Sequence, residues 1–125
     1  MSPIQVLLVD DSPEFLESAA RFLSSDPQVC TVGRALSGRQ ALEQMASLKP
    51  DVVLMDLVMP NMDGLEATRQ IKRRPDAPFV VILTLHDHDE YRLAAQAAGA
   101  DGYITKSEFG TELLPLVHRL CAVAA

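Results

Sequence analysis

Short aliphatic runs that end on polar residues, set between stretches of helical periodicity, limit what this chain can fold into more than any other feature. The first is "IQVLLVDDSP" (4–13), in which five of the six residues Ile4–Val9 are aliphatic and the run delivers two adjacent aspartates, Asp10 and Asp11. A short continuous apolar run fits a strand buried on both faces, although a buried helical segment shares the pattern. The next residues favour the strand. Ser12 suits an N-cap, Pro13 suits the first helical turn, and Phe15, Leu16, Ala19, Phe22 and Leu23 recur at helical spacing.

The same alternation recurs down the chain. "VCTVGRAL" (29–36) reads as a second strand, and Ser37 with Gln40 resembles a capping box for a helix carrying Leu42, Met45 and Ala46. "DVVLMD" (51–56) is another apolar run closing on a carboxylate. Pro60 and "NMDG" (61–64) then form a turn before a helix with Ala67 and Ile71 on one face. "PFVVILT" (78–84) is the most strand-like stretch of all. Asp87 and Glu90 are the candidate caps of a helix over 91–98, and Gly99 fits its stop. "DGYIT" (101–105) is a short fifth strand, and Leu113, Leu114, Val117, Leu120 and Cys121 mark the last helix.

Five strands alternating with five helices imply right-handed crossovers and a parallel sheet covered on both faces, a doubly wound α/β fold. At 125 residues this is one domain, 1–125, without internal repeat or linker. No apolar run reaches the ~20 residues of a membrane span, and there is no signal-peptide pattern, so a cytoplasmic location is expected. A net charge of −6 argues against direct nucleic-acid binding, which needs a basic patch. Cys30 and Cys121 lack metal-ligand spacing and read as small buried core residues.

In such a sheet ligands bind outside the carboxyl ends of the strands. Asp10 and Asp11 end the first strand, Asp56 the third, Thr84 the fourth, and Lys106 follows the fifth; the second, read as an edge strand, offers Ala35 and Leu36. Carboxylates about 4 Å apart repel by about 4 kcal/mol at an effective dielectric near 20. A cation resolves that repulsion, and an all-oxygen site open to water suits Mg²⁺. Lys106 is then a point charge for a phosphoryl oxygen and Thr84 a hydrogen-bond donor to another.

"LLVDDSP", "DVVLMDLVMPNMDG", "VVILTLHD" and "GADGYITK", in that order, resemble the receiver domain of two-component response regulators from about Ile4 to Leu120. The resemblance implies a flavodoxin-like, CheY-like sheet of order 2-1-3-4-5 flanked by five helices. It implies that Asp56 accepts phosphate from a sensor histidine kinase. It further implies that Asp11, Asp56 and the backbone carbonyl of Val58 hold Mg²⁺, with Asp10 supporting the metal mostly through water. Lys106 would neutralise phosphoryl charge and Thr84 would close on the phosphoryl group. Tyr103 stands where the family carries a rotating aromatic. The face changed would be the fourth helix, fifth strand and fifth helix, around Tyr91, Ala95, Tyr103 and Glu112. That face would control an effector, a partner or a phosphorylation-dependent homodimer.

Ser107 replaces the proline frequent after the lysine, and Leu85 stands where many receivers carry Ala or Gly, with bulk to narrow access to Asp56. "TLHD" and "GYITKS" resemble most the receivers that precede a LuxR/NarL-type helix-turn-helix domain; the expectation is either an isolated receiver or one whose effector half lies beyond "CAVAA". The "HDHD" loop (86–89) reads as solvated rather than as a metal site, with His86 and Val58 flanking the phosphoryl group. "KRR" (72–74) reads as helix-end cations, Met55 as core, and Met59 and Met62 as loop-shaping. A haloacid-dehalogenase-type phosphatase wants a second acid where Val58 stands, and a flavodoxin-like FMN protein wants a neutral phosphate loop where DDSP stands. A degenerate receiver acting only as an interaction module is the alternative within the family, against which all five site positions are intact.

Overall fold

The computed structural model describes residues 2–59, 62–85 and 87–124, and side chains as far as residue 122. Pro60 and Asn61 of the expected turn, and His86 of the expected phosphoryl flank, lie outside the described residues. The elements run β1 (Ile4–Val9), α1 (Pro13–Leu23), β2 (Val29–Ala35), α2 (Gly38–Leu48), β3 (Val52–Asp56), α3 (Gly64–Lys72), β4 (Phe79–Thr84), α4 (Asp89–Ala98), β5 (Gly102–Thr105) and α5 (Phe109–Ala124). The strands form one parallel sheet of order β2-β1-β3-β4-β5, the doubly wound arrangement expected of the chain.

Strand alternation divides the core in two. Val6, Leu8, Val52, Leu54, Val81, Leu83 and Ile104 face α1 and α5, where Leu16, Leu23, Leu113 and Val117 cover them. Leu7, Val9, Val53, Met55, Val80 and Ile82 face the other way, onto Ala41 and Met45 of α2, Ala67 and Ile71 of α3, and Ala95 of α4. Every residue of β3 is buried, which is why 52–56 reads as an unbroken apolar run rather than an alternating one.

The caps set where each helix starts. Ser12 Oγ accepts from the Phe15 amide and Ser37 Oγ from the Gln40 amide. Gln40 completes its half of the box one residue early, taking the Leu36 N–H at 2.8 Å rather than that of Ser37. Asp63 caps α3 by accepting from the Glu66 amide. Gly99 stops α4 at φ +99°, a conformation that costs glycine little.

Several expectations are corrected. α4 starts after His88, which makes no side-chain cap bond, and Asp87 pairs with Arg92 at 3.0 Å instead of capping. A 3₁₀ turn, Lys106–Glu108, separates β5 from α5; the Glu108 carboxylate accepts from both the N–H and the hydroxyl of Thr105. Cys30 is exposed and Cys121 half-buried, both free, because β2 is an edge strand and Cys121 lies at the margin of α5. Lys72 does more than face a helix dipole: its ammonium bonds Asp101 at 2.9 Å and the Pro78 carbonyl. Met59 is core rather than loop packing, and Ala95 points into the core and so leaves the expected signalling face. No described helix is long and apolar enough to cross a membrane.

Candidate functional site

Parallel strands end together, and the polar residues closing β1, β3 and β4 therefore meet at one edge. β1 and β3 are in register up to Val9 and Met55, so Asp10 and Asp56 leave the sheet side by side. Asp10 is held twice: its N–H bonds the Ala35 carbonyl, and its Oδ1 accepts from the Ser12 amide at 2.9 Å. The buried Asp10 thus forms a side-chain turn that leads into α1. Asp11, next in the chain, is exposed.

Asp56 is buried at the end of β3, and the chain then folds back sharply. Leu57 extends the pairing by one N–H to the Leu83 carbonyl, and its own carbonyl accepts from Gly64 at 2.9 Å. A Cβ on Gly64 would collide with the Asp56 backbone carbonyl, so only glycine lets α3 begin this close to the acidic centre. Val58, 68% exposed, and Leu85, 72% exposed, stand at the rim. Leu85 therefore stands mostly in solvent at the rim rather than packed into the site.

One carboxylate oxygen each from Asp10, Asp11 and Asp56 lies within 4.8 Å of the other two. At an effective dielectric near 20, each pair repels by about 3–4 kcal/mol. Lys106 offsets part of this. Its ammonium is 2.7 Å from Asp10 Oδ2 and 3.7 Å from Asp56 Oδ1. Three anions and one cation leave two negative charges on oxygen donors, two buried and one open to water. That acidic pocket suits a hard divalent ion.

Burial, and then the nearby Asp10 charge, push the Asp56 carboxyl up to about 6; Lys106 and the Leu57 amide pull the other way, while Asp11 adds to the rise. Asp56 is therefore mainly ionised at pH 7, a carboxylate oxygen in a desolvated setting.

Thr84 is buried on β4, paired with Thr105 of β5, one residue beyond the Asp56–Leu83 pair. By alternation it follows Ile82 on the α2–α3–α4 side of the sheet, whereas Asp10 and Asp56 follow Leu8 and Leu54 on the α1–α5 side. Tyr103 pairs with Ile82 on the Thr84 side. Its half-buried ring lies under the Arg92 guanidinium, 4.6 Å from centroid to Cζ. Burial raises the Tyr103 hydroxyl above its ordinary value, and a backbone hydrogen bond from His88 opposes the rise.

Sequence reasoning misses three supports of the site. Helical spacing accounts for Phe15 as core alone, yet its ring faces the Lys106 ammonium at 4.2 Å. Gly64 reads as part of a turn, although the glycine ending "NMDG" carries the signal of a close backbone approach. The third is the Thr105–Glu108 box that aims Lys106, for which "TKSE" carries the Thr-x-x-Glu pattern.

The response regulator receiver domain family matches this chain over residues 6–118. The nitrate/nitrite response regulator protein NarL of Escherichia coli (strain K12) is 34% identical over 120 residues, 96% of this chain and 56% of that protein. Response regulator protein VraR of Staphylococcus saprophyticus is 37% identical over 117 residues, 94% of this chain and 56% of that protein. The crystal structure of a LuxR-family two-component response regulator from Aurantimonas sp. SI85-9A1 matches with a TM-score of 0.91 at 34% identity, covering 98% of this chain and 87% of that one. The chain spans about half the length of the two curated relatives. A five-stranded parallel sheet, an acidic edge and this family match agree: the chain belongs to the receiver domains of two-component response regulators.

Proposed function

We propose that residues 1–125 act as one phosphoacceptor unit in which Asp56 takes a phosphoryl group from a sensor histidine kinase. The observation that carries this is the buried strand-end carboxylate of Asp56 clustered with those of Asp10 and Asp11 and with one ammonium at the same sheet edge. An Asp56 oxygen forms the new P–O bond while the P–N bond of the kinase phosphohistidine breaks. The imidazole leaves with the electron pair and takes up a proton. Asp11, Asp56 and the Val58 carbonyl are the proposed donors for Mg²⁺, with Asp10 supporting it mostly through water, and the ion would neutralise charge on the transferring group. Lys106 approaches a phosphoryl oxygen from the α1–α5 side and Thr84 donates to another from the opposite side. Both contacts strengthen as charge develops on those oxygens.

The same reading gives the output. Thr84 and Tyr103 lie on one side of the sheet, so a hydroxyl drawn toward a phosphoryl group frees space that the Tyr103 ring can enter. Tyr103 tolerates buried and exposed settings, which suits a two-state element. Tyr91 of α4, beside the Arg92 that stacks on Tyr103, belongs to the face that would report the change to an effector domain or to a second copy of the chain.

The test is intact-mass measurement after incubation with a small phosphodonor and Mg²⁺. One phosphoryl group is expected on the wild-type protein and none on Asp56→Asn. Labelling of Asp56→Asn at wild-type stoichiometry would identify a different acceptor. An unlabelled wild-type protein would favour the interaction-module alternative.

A further inference from the structure

Lys106 is enclosed on three sides, and one of them is not ionic. Asp10 Oδ2 holds the ammonium at 2.7 Å, Asp56 Oδ1 stands at 3.7 Å, and the Phe15 ring presents its face 4.2 Å away, measured to the centroid. The lysine side chain is only 16% exposed, so the ring occupies space that would otherwise hold hydrating water. Phe15 is itself anchored. Its amide is bonded by the Ser12 cap, its ring meets Phe109 edge-on at 5.7 Å, and Phe109 packs on Phe22 at 5.2 Å. Phe109 opens α5 directly after the turn that carries Lys106. Both members of the cation–ring pair thus stand at helix starts whose caps fix them.

We propose that Phe15 is a positioning residue for phosphoryl transfer: its ring face keeps the Lys106 ammonium directed at the Asp56 oxygens when Asp10 is engaged elsewhere. The reading rests on the phosphoacceptor function proposed above. The reason is geometric. Asp10 now supplies the closest bond to Lys106, and Asp10 is also proposed to support the divalent ion and its waters. Once that carboxylate turns to a metal, an ammonium held by it alone would swing free or follow it. The negative face of an aromatic ring holds a cation without competing for either carboxylate, and it does so more strongly where water is excluded.

The test compares wild type with Phe15→Leu, Phe15→Tyr and protein carrying mono-, di- or trifluorinated phenylalanine at position 15. Fluorine drains the ring face with little change in size. Single-turnover phosphorylation by acetyl phosphate at saturating Mg²⁺ gives the maximal rate, and a separate titration gives Mg²⁺ affinity. The expected result is a rate that falls stepwise with each fluorine and is about three- to tenfold lower in Phe15→Leu. Phe15→Tyr should restore most of it, and Mg²⁺ affinity should stay within about twofold throughout. In a Lys106→Ala background the Phe15→Leu change should cost nothing further. A rate indifferent to fluorination, or full additivity with Lys106→Ala, would show Phe15 to be packing alone and overturn the proposal. The fluorinated series keeps the question decidable if Phe15→Leu does not fold. Wild-type protein that accepts no phosphate would overturn the function and this proposal with it, whereas normal labelling indifferent to the ring overturns this proposal only.

Discussion

Asp56 is where the acidic edge weighs on stability, and the sign can be worked out. Its carboxyl titrates near 6 in the folded chain, above the ordinary 3.8, chiefly through burial and then through Asp10. The folded state therefore favours the protonated form. That contribution is complete below about pH 4 and is lost as pH rises through 6. In metal-free protein Asp56→Asn should then be more stable than wild type at pH 7.5, by about 1–3 kcal/mol, with the gap closing by about pH 4. Urea denaturation across that range measures it; equal stability at both ends would mean that Asp56 is not strained by its neighbours. Much of this site is legible in the sequence. Asp10, Asp56 and Thr84 each close an aliphatic run, and parallel strands bring such ends to one edge. Phe15 is not legible as a site residue because helical periodicity already accounts for it as core, and periodicity does not say which core residue touches a lysine distant in sequence. The exposure of Cys30 follows from β2 being the edge strand, which reading Cys30 as core left out of account.

At the scale of elements, the start of α3 decides how Asp56 is presented. Gly64 lies against the Asp56 carbonyl and donates to that of Leu57, so the helix and the strand end are one rigid corner. Gly64→Ala puts a methyl group against backbone, which cannot rotate away. The expected loss is about 1–3 kcal/mol with a slower phosphorylation of Asp56, read by thermal melting and by the mass assay. Wild-type stability in Gly64→Ala would show that the corner can relax. All five strands are legible to within about a residue, β1, β3 and β4 because aliphatic runs admit few boundaries, β2 and β5 because helix-cap and turn signals bracket them. What moves is the polar residue expected to open them. Asp51 accepts from the Gln5 amide and Asp101 from the Val80 amide, so each stands just outside its strand, tying a neighbour down. The cap of α4 escapes the sequence pattern because Asp87 has a better partner in Arg92 than any helix amide, and pairwise charge between side chains five residues apart is not a capping pattern.

For the whole molecule, the charge count at the edge predicts that a divalent metal stabilises the fold. A divalent ion that binds only the folded chain adds about 1.4 kcal/mol at ten times its dissociation constant. Thermal melts with and without Mg²⁺ should differ accordingly, and Asp11→Ala should lose most of the difference; an unchanged response would remove Asp11 from the donor set. The two core clusters give this edge a wider meaning. The sheet is a wall, with α1 and α5 packed on one side and α2, α3 and α4 on the other. Asp10, Asp56 and Lys106 reach the carboxyl rim from the first side, and Thr84 from the second. Under the proposed function, a small group seated on that rim would be gripped from both compartments at once, like a rivet through a seam. Its arrival or departure would then register as a change of tension between the two halves of the protein, where a ligand in either core alone would be felt on one side only.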